Sequence, residues 1–379
     1  MKKVGIITFH ASHNCGSMLQ AFALQTVIEE IGYQSEIINF SNYGQQQLYS
    51  NHYLNDNLKG IIKNMLIFPH RKRIEMVYNS YEDFIKNTFK LSKKKYSKLE
   101  ELNENNLKYD MYVCGSDQIW NITIPDSDDA YFLPFVKKHK KIAYAPSFGA
   151  KNLKTYATNL EKYRNYLKSF DFLSIREKNG SKWLLDLIDR EVPVVLDPTL
   201  IIDKRKYELL EQESGINGKY IFYYAPGYMK KITSFVEKLS KKYNLPVIVW
   251  NSKQYYIKGL KRKSFSLPIN ENPGIYLSLI KNAELVITTS FHGSIFSTIY
   301  KKNFWIMKNG GMYGDDDRVL TLVKELSLEN RLIIPDFDDN FDYLRSVDYK
   351  QYDKNLIRLK NKSVNYLIEA LGDSDERNK

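Results

Sequence analysis

The sequence predicts an α/β protein built as two Rossmann-like halves that face each other across a cleft. Three observations carry that expectation. At 379 residues the chain is too long for one ordinary core and suits two units of roughly 150–200 residues. Short apolar runs that read as buried strands alternate with stretches of helical periodicity. The alternation also occurs twice, on either side of a polar linker at residues 211–219.

The first series opens with residues 4–9, a buried strand, followed by a polar loop at 10–17. From Met18 onward, Leu19, Phe22, Ala23, Val27, Ile28 and Ile31 recur at helical spacing, Gly32 closes the helix, and residues 35–40 form the next strand. Strand, loop, helix, glycine and strand make the βαβ unit of a parallel sheet. Residues 41–108 are polar and aromatic with helical periodicity near 61–68 and 74–89, a helical insertion. Residues 109–114 form a strand that exits into Gly115-Ser116-Asp117. Short strands follow at 141–144 and 170–175, a helix at 178–188, and a strand at 193–196 that ends in Asp197-Pro198. The second series reads strand 220–224, helix 231–243, strand 246–250, helix 275–281, strand 285–289, helix 292–300, strand 304–307 and helix 318–326. The units predicted are therefore 1–210, with the insertion at 41–108, then 220–345, and a C-terminal stretch 346–379 whose helix packs back on the first half.

Composition narrows the function classes. Hydrophobic residues at 43% with charged residues at 26% describe a globular chain and exclude a disordered one. The net charge of +12 is spread over runs such as 70–73, 93–95, 137–141 and 258–263, with no RNA- or DNA-binding motif, so nucleic acid is not an expected partner. Most of these runs read as solvated surface; loose peripheral contact with acidic phospholipid at the inner face of the membrane is the second reading. The two cysteines, Cys15 and Cys114, form no disulfide framework, in keeping with a reducing cytosol. The opening residues read as a strand and not as a signal peptide, and no window approaches a membrane span, so a cytoplasmic location is expected.

Ligands of open α/β sheets bind where strands end and helices begin. Four segments place polar or small residues there. In Asn14-Cys15-Gly16-Ser17-Met18-Leu19-Gln20, backbone N–H groups at a helix start suit an anion or hydroxyl, Gly16 allows close approach, and Asn14 and Gln20 can bond a sugar. The plainer reading is helix capping by Asn14 or Ser17. Gly115-Ser116-Asp117-Gln118-Ile119-Trp120-Asn121 makes a tight strand exit in which Asp117 caps a turn or holds a hydroxyl, and Trp120 stacks on a pyranose or packs. In Ser174-Ile175-Arg176-Glu177, the planar fork of Arg176 suits a phosphate or carboxylate, or a local salt bridge to Glu177. Thr288-Thr289-Ser290-Phe291-His292-Gly293-Ser294 carries a histidine from strand to helix, placed to act as general base and then acid. The six histidines lack metal-ligand spacing, and GxGxxG, GxxxxGK[ST] and GxSxG are all absent, so neither a metal nor a dinucleotide cofactor is expected.

Taken in order, these motifs resemble the polysaccharide pyruvyl transferase family. The resemblance runs through Asn14-Cys15-Gly16 with Leu19-Gln20-Ala21-Phe22-Ala23-Leu24-Gln25, then Tyr109-Asp110 and Gly115 to Asn121, then Ser174 to Glu177, Val195-Leu196-Asp197-Pro198-Thr199 and Val286 to Ser297. It covers residues 1 to about 335. It implies a glycosyltransferase-B-like pair of Rossmann domains and phosphoenolpyruvate as donor substrate. The implied reaction moves the pyruvyl group to two hydroxyls of a sugar as a cyclic ketal. Acceptors would be capsule, exopolysaccharide or cell-wall glycans or their lipid-linked precursors. Arg176 matches the arginine that holds the donor, and His292 the proposed catalytic histidine. The residues expected to bind substrate are Asn14, Gly16, Ser17, Gln20, Gly115, Ser116, Asp117, Asn121, Ser290, Gly293, Lys308 and Arg318.

The sequence departs from the family at one place. Many members read Arg-Leu-His where this chain reads Ser290-Phe291-His292, so one donor-gripping charge is missing. Either a nearby cation, Lys308 or Arg318, replaces it, or the donor differs. The alternative function is then a glycosyltransferase using a nucleotide sugar on the same fold, followed by a non-catalytic glycan- or lipid-surface-binding protein.

Overall fold

Two parallel sheets organise the chain in the computed structural model, which describes residues 1–308 and 317–372. Residues 309–316 and 373–379, parts of the expected second half and of the polar tail, lie outside those described. The first sheet takes β1 (Lys3–Ile7), β2 (Gln34–Ile37), β3 (Met111–Cys114), β4 (Lys140–Ala143) and β5 (Phe172–Leu173) in the order β2-β1-β3-β4-β5. Every pair is parallel; Val4 lies opposite Ser35 on one side and Met111 on the other. Helices cover both faces, which is why β3 reads as an uninterrupted buried apolar run and not as an alternation.

The second sheet holds β6 (Ile221–Tyr224), β7 (Val247–Val249), β8 (Phe265–Ser266), β9 (Leu285–Thr288), β10 (Phe304–Met307) and β11 (Leu332–Ile333), again all parallel, in the order β11-β10-β9-β6-β7-β8. The long helix α1 (Cys15–Glu30) follows β1. The stretch 41–108 contains α2 (Tyr43–Tyr49), α3 (Leu58–Ile67) and α4 (Arg71–Thr88).

One expected element is absent. Residues 193–196 run extended but form only a single bridge, Ile175 to Val194, because Pro193 has no N–H and the segment soon turns into the Asp197-capped helical turn Pro198–Leu200.

A single hydrophobic cluster runs from Val4 and Ile6 through Tyr207, Tyr276 and Phe296 to Leu367, so the two sheets share a core. The helix Lys350–Leu371 ties them further. The Tyr352 hydroxyl donates to Thr298 Oγ1 at 2.8 Å in the second half. Ser363 Oγ accepts the Leu196 N–H at 2.9 Å in the first, and the Tyr366 hydroxyl donates to Ala143 O at 2.9 Å.

Candidate active site

Loops leaving the carboxyl ends of β1, β3 and β9 line one cavity of about 270 Å³ between the sheets. Asn14 and Ser17 come from the first loop, Asp117 from the second, and Ser290 and His292 from the third. Each is held by local backbone chemistry. The Asn14 side chain caps α1 by accepting the N–H groups of Gly16 and Ser17. Ser290 caps the helix Phe291–Ile299 by accepting the Gly293 N–H. The turn after β3 needs Gly115, whose φ of 125° and contact with Tyr144 O exclude a side chain.

At the centre sits Asp197, which is 1% exposed. Its Oδ2 accepts from Arg176 Nη1 at 2.6 Å, lies 3.3 Å from His292 Nε2 and 3.3 Å from the Ser116 hydroxyl. Its Oδ1 accepts from the Thr199 N–H and hydroxyl. Burial alone would push this carboxyl up. The His292 charge and hydrogen bond, Arg176 and Thr199 outweigh it and hold the group well below the usual aspartate range. A carboxylate on Nε2 fixes the ring and leaves Nδ1 as the nitrogen not engaged by Asp197, the arrangement an acid–base histidine would need.

Gly16 makes that ring position available. A Cβ built on Gly16 would stand 2.2 Å from His292 Nδ1 and 2.5 Å from Cγ. Gly16→Ala should therefore swing the imidazole off Asp197 and lower turnover by about 10²-fold. Melting temperature should fall as well, because the same Cβ would stand 2.7 Å from His292 Cβ, which no rotation of the ring relieves, and such overpacking costs about 1–3 kcal/mol. Measuring kcat and Tm on the same preparation checks both; unchanged kcat contradicts the role of Gly16.

Arg176 is sandwiched. Its guanidinium lies 4.4 Å from the Phe291 ring centre, 2.6 Å from Asp197 and 3.6 Å from Asp117. It borders a second cavity of about 240 Å³ behind Phe291, with Arg318, Arg358 and Lys362 in its wall, and it does not line the cavity that holds His292. The two expected catalytic residues thus meet through Asp197, both on its Oδ2, while lining different cavities. Nε and Nη2 of Arg176 are buried without a hydrogen-bond partner among the described residues. Glu177 is turned the other way, onto the Ser147 hydroxyl and the Phe148 N–H, so it is no partner of Arg176; burial raises its carboxyl to about 7 despite the Arg176 charge.

The remaining expected residues divide. Ser17 donates to Asp117 at 2.5 Å at the cavity wall, and Arg318 lines both cavities, beside Ser290. Gln20 is fully buried, bonded to Thr8, the Ser17 carbonyl and the Ser116 N–H, and braces the loops without facing the cavity. Asn121 is also fully buried, turned onto Thr123 and Gln118. Gly293 packs against Thr288. Lys308 lines neither cavity; its N–H joins β10 to Ile333. Trp120 is packed, stacked on Phe132 at 5.4 Å and inaccessible to a sugar.

Three residues of the site, Asp197 behind His292 and Tyr49 and Asp126 in the cavity wall, are not among those expected from the sequence. Asp197 looked like a strand cap. Tyr49 arrives from α2, and Asp126 from the loop that α2 packs on, where a Cβ on Gly44 would strike Pro125 O. Burial, with a smaller push from Asp117, raises the Asp126 carboxyl to about 6. Only the Asp-Pro at a strand exit offered a signal; nothing in the insertion marks Tyr49 as facing the cleft.

Beside this cavity, and sharing Asn14, Leu48, Tyr49 and Pro226 with it, lies a third of about 330 Å³. Its wall is aromatic, with Tyr53, Tyr78, Tyr81, Tyr224 and Trp250, and carries Lys253 and Glu271. Cys15 opens on it, but burial pushes the thiol far up, and its sulfur sits 3.3 Å from the Tyr81 hydroxyl, so it is no thiolate nucleophile. Among the described residues no group of three His, Cys, Asp or Glu side chains is placed to hold a metal ion.

A family model described as polysaccharide pyruvyl transferase matches residues 14–311. No curated protein matches the chain. Among solved structures, S. aureus MnaA in complex with UDP is 13% identical, covers 97% of this chain and 96% of its own, and superposes with a TM-score of 0.50. UDP-GlcNAc 2-epimerase from Neisseria meningitidis, bound to UDP-GlcNAc, is 12% identical over 97% of this chain and 100% of its own, at a TM-score of 0.46. At such identities the likeness concerns the fold alone, which is α/β and glycosyltransferase-B-like.

Proposed function

Since the chain belongs to the polysaccharide pyruvyl transferase family and is a transferase, we propose that it takes the pyruvyl group from phosphoenolpyruvate and builds a cyclic ketal on a sugar. The observation that carries this reading is His292, held from behind by Asp197, in the wall of a cleft cavity that also carries a cation, Arg318. The chemistry needs those parts. One sugar hydroxyl adds to C2 of the enol phosphate while the methylene takes a proton and becomes methyl. The second hydroxyl then displaces phosphate. Of the two hydroxyl protons, one ends on the methyl group and one on phosphate.

His292 Nδ1 serves the first transfer, drawing a proton from the hydroxyl and returning it to carbon. Asp126, with its carboxyl near 6, titrates close to neutrality and suits the second. Arg318 supplies the charge that Ser290 leaves out, and the N-termini of α1 and of the helix Phe291–Ile299 add to it at the donor. Arg176 acts behind Asp197 as a positioning residue and lends its positive field to the donor. The aromatic cavity next door offers stacking faces and polar groups for the acceptor sugar. No helix among the described residues is long and apolar enough to cross a membrane; for a lipid-linked acceptor the proposal is peripheral contact with the membrane surface.

Thermal melting with phosphoenolpyruvate beside a panel of uridine and guanosine diphosphate sugars tests the donor. Stabilisation by phosphoenolpyruvate alone is expected, reaching about 2.7 kcal/mol at a hundredfold excess over Kd. In Arg176→Ala that stabilisation should shrink. A shift with nucleotide sugars only overturns the reading in favour of a glycosyltransferase, and an unchanged response in Arg176→Ala removes that residue from donor binding.

A further inference from the structure

Helix α3 is amphipathic the wrong way round for a core helix. Leu58, Ile61, Ile62, Met65 and Leu66 fall at helical spacing on one stripe, and Phe68 continues it. All are exposed, Leu58 at 71%, Met65 at 70% and Phe68 at 63%. The side turned to the protein is instead Gly60 and Ile67, and Gly60 sits so close to Leu54 O that a Cβ would stand 1.9 Å from it. A contiguous apolar patch of this kind on a folded chain marks an interaction surface.

The rim identifies the partner. Between residues 58 and 73 the cations are Lys59, Lys63, Arg71, Lys72 and Arg73, with no Asp or Glu. Arg73 is committed to Glu271 and to carbonyls at 268 and 269. Lys59, Lys63, Arg71 and Lys72 have no ion-pair partner among the described residues; Arg71 lies over the Phe68 ring at 4.8 Å and the half-buried Lys63 over the Tyr53 ring at 4.9 Å. An apolar stripe flanked by unpaired cations is the pattern of a helix that lies in the interface of an anionic bilayer. A second copy of the chain fits less well, since it would bring the same cations to the same rim.

We infer that the exposed face of α3 docks the protein on an anionic phospholipid surface. The inference rests on the peripheral-contact part of the reading above and not on the donor. The patch also adjoins the aromatic cavity: the Asn64 side chain of α3 bonds the N–H and carbonyl of Tyr53, a cavity residue. A sugar carried on a membrane lipid would therefore enter the cleft from the docked side.

The test is co-sedimentation of the full chain with vesicles of phosphatidylcholine and phosphatidylglycerol, against phosphatidylcholine alone. Wild type should bind the anionic vesicles, lose binding as salt rises, and ignore the neutral ones. Met65→Glu/Phe68→Glu, and separately Lys59→Glu/Lys63→Glu/Lys72→Glu, should each reduce binding by roughly tenfold or more. Melting temperature should not change, because these side chains are solvent-exposed or at the rim. Wild type that binds neither vesicle overturns peripheral contact altogether. Wild type that binds while both variants bind equally well overturns the assignment to α3 alone. A dimer in light scattering that the apolar variant dissolves, without vesicle binding, gives the face to a second copy.

Discussion

His292→Ala lowers turnover by about 10²–10⁴-fold, the range of a lost general acid–base group, and leaves the fold in place. The ring touches Gly16 and Phe291 and is 8% exposed, so its removal opens a small polar space at the cavity wall and no void in the apolar core. Asp197 keeps Arg176 and Thr199 in the variant, so no buried charge is orphaned. Steady-state kinetics and circular dichroism on the same sample check the two halves of the statement. Full activity removes His292 from the mechanism; loss of activity with loss of fold shows a structural role only.

Asp197→Ala has the larger effect on stability. It leaves the Arg176 guanidinium, 2% exposed in its side chain, without its 2.6 Å partner and with only Asp117, at 3.6 Å, to face it. Breaking a buried ion pair by removing one partner costs about 3–5 kcal/mol, with Asp117 holding the loss to the lower end, which in a chain of this length lowers the melting temperature by about 4–6 °C. Turnover falls too, because His292 loses the group that fixes its ring. Asp197→Ala/Arg176→Leu should recover much of the stability and none of the activity, which separates charge burial from catalysis. The pH sign follows from the depressed carboxyl. A carboxyl held below its unfolded value stabilises the fold fully above about pH 3.9, and that contribution is lost as pH falls toward the folded value. The gap in melting temperature between wild type and Asp197→Ala should thus narrow as pH falls into the acid range. A gap that stays unchanged into strong acid would assign the stabilisation to another group.

The sheets were legible because parallel strands buried on both faces leave dense apolar runs, as at residues 221–224 and 304–307, each followed by a helical period. The two-residue edge strands at Phe265–Ser266 and Leu332–Ile333 leave no such trace, since they owe their pairing to neighbours and not to their own pattern. In the site, residues at strand exits were legible where position alone decides: Asn14, Asp117, Ser290 and His292 all line the cavity. Position does not fix which way a side chain turns. Gln20, Asn121 and Trp120 sit beside true cavity residues and face inward, because each finds its partners in the packed loops. Arg176 was expected against the donor and is found against Asp197, a pairing made across 21 residues that no local spacing announces. Tyr49 and Asp126 depend on how the insertion folds over the cleft, which its polar composition does not encode.

The reaction proposed for this cavity moves the pyruvyl carbons of phosphoenolpyruvate to a sugar. Its most direct test is nuclear magnetic resonance of phosphoenolpyruvate labelled with carbon-13 at C2, incubated with wild type, with His292→Ala, and with a panel of free, nucleotide-linked and lipid-linked sugars. The predicted result is inorganic phosphate released in step with a new ketal carbon, only with wild type and only with an acceptor offering two free hydroxyls. Release of a nucleoside diphosphate while phosphoenolpyruvate stays intact would contradict the account and make the enzyme a glycosyltransferase.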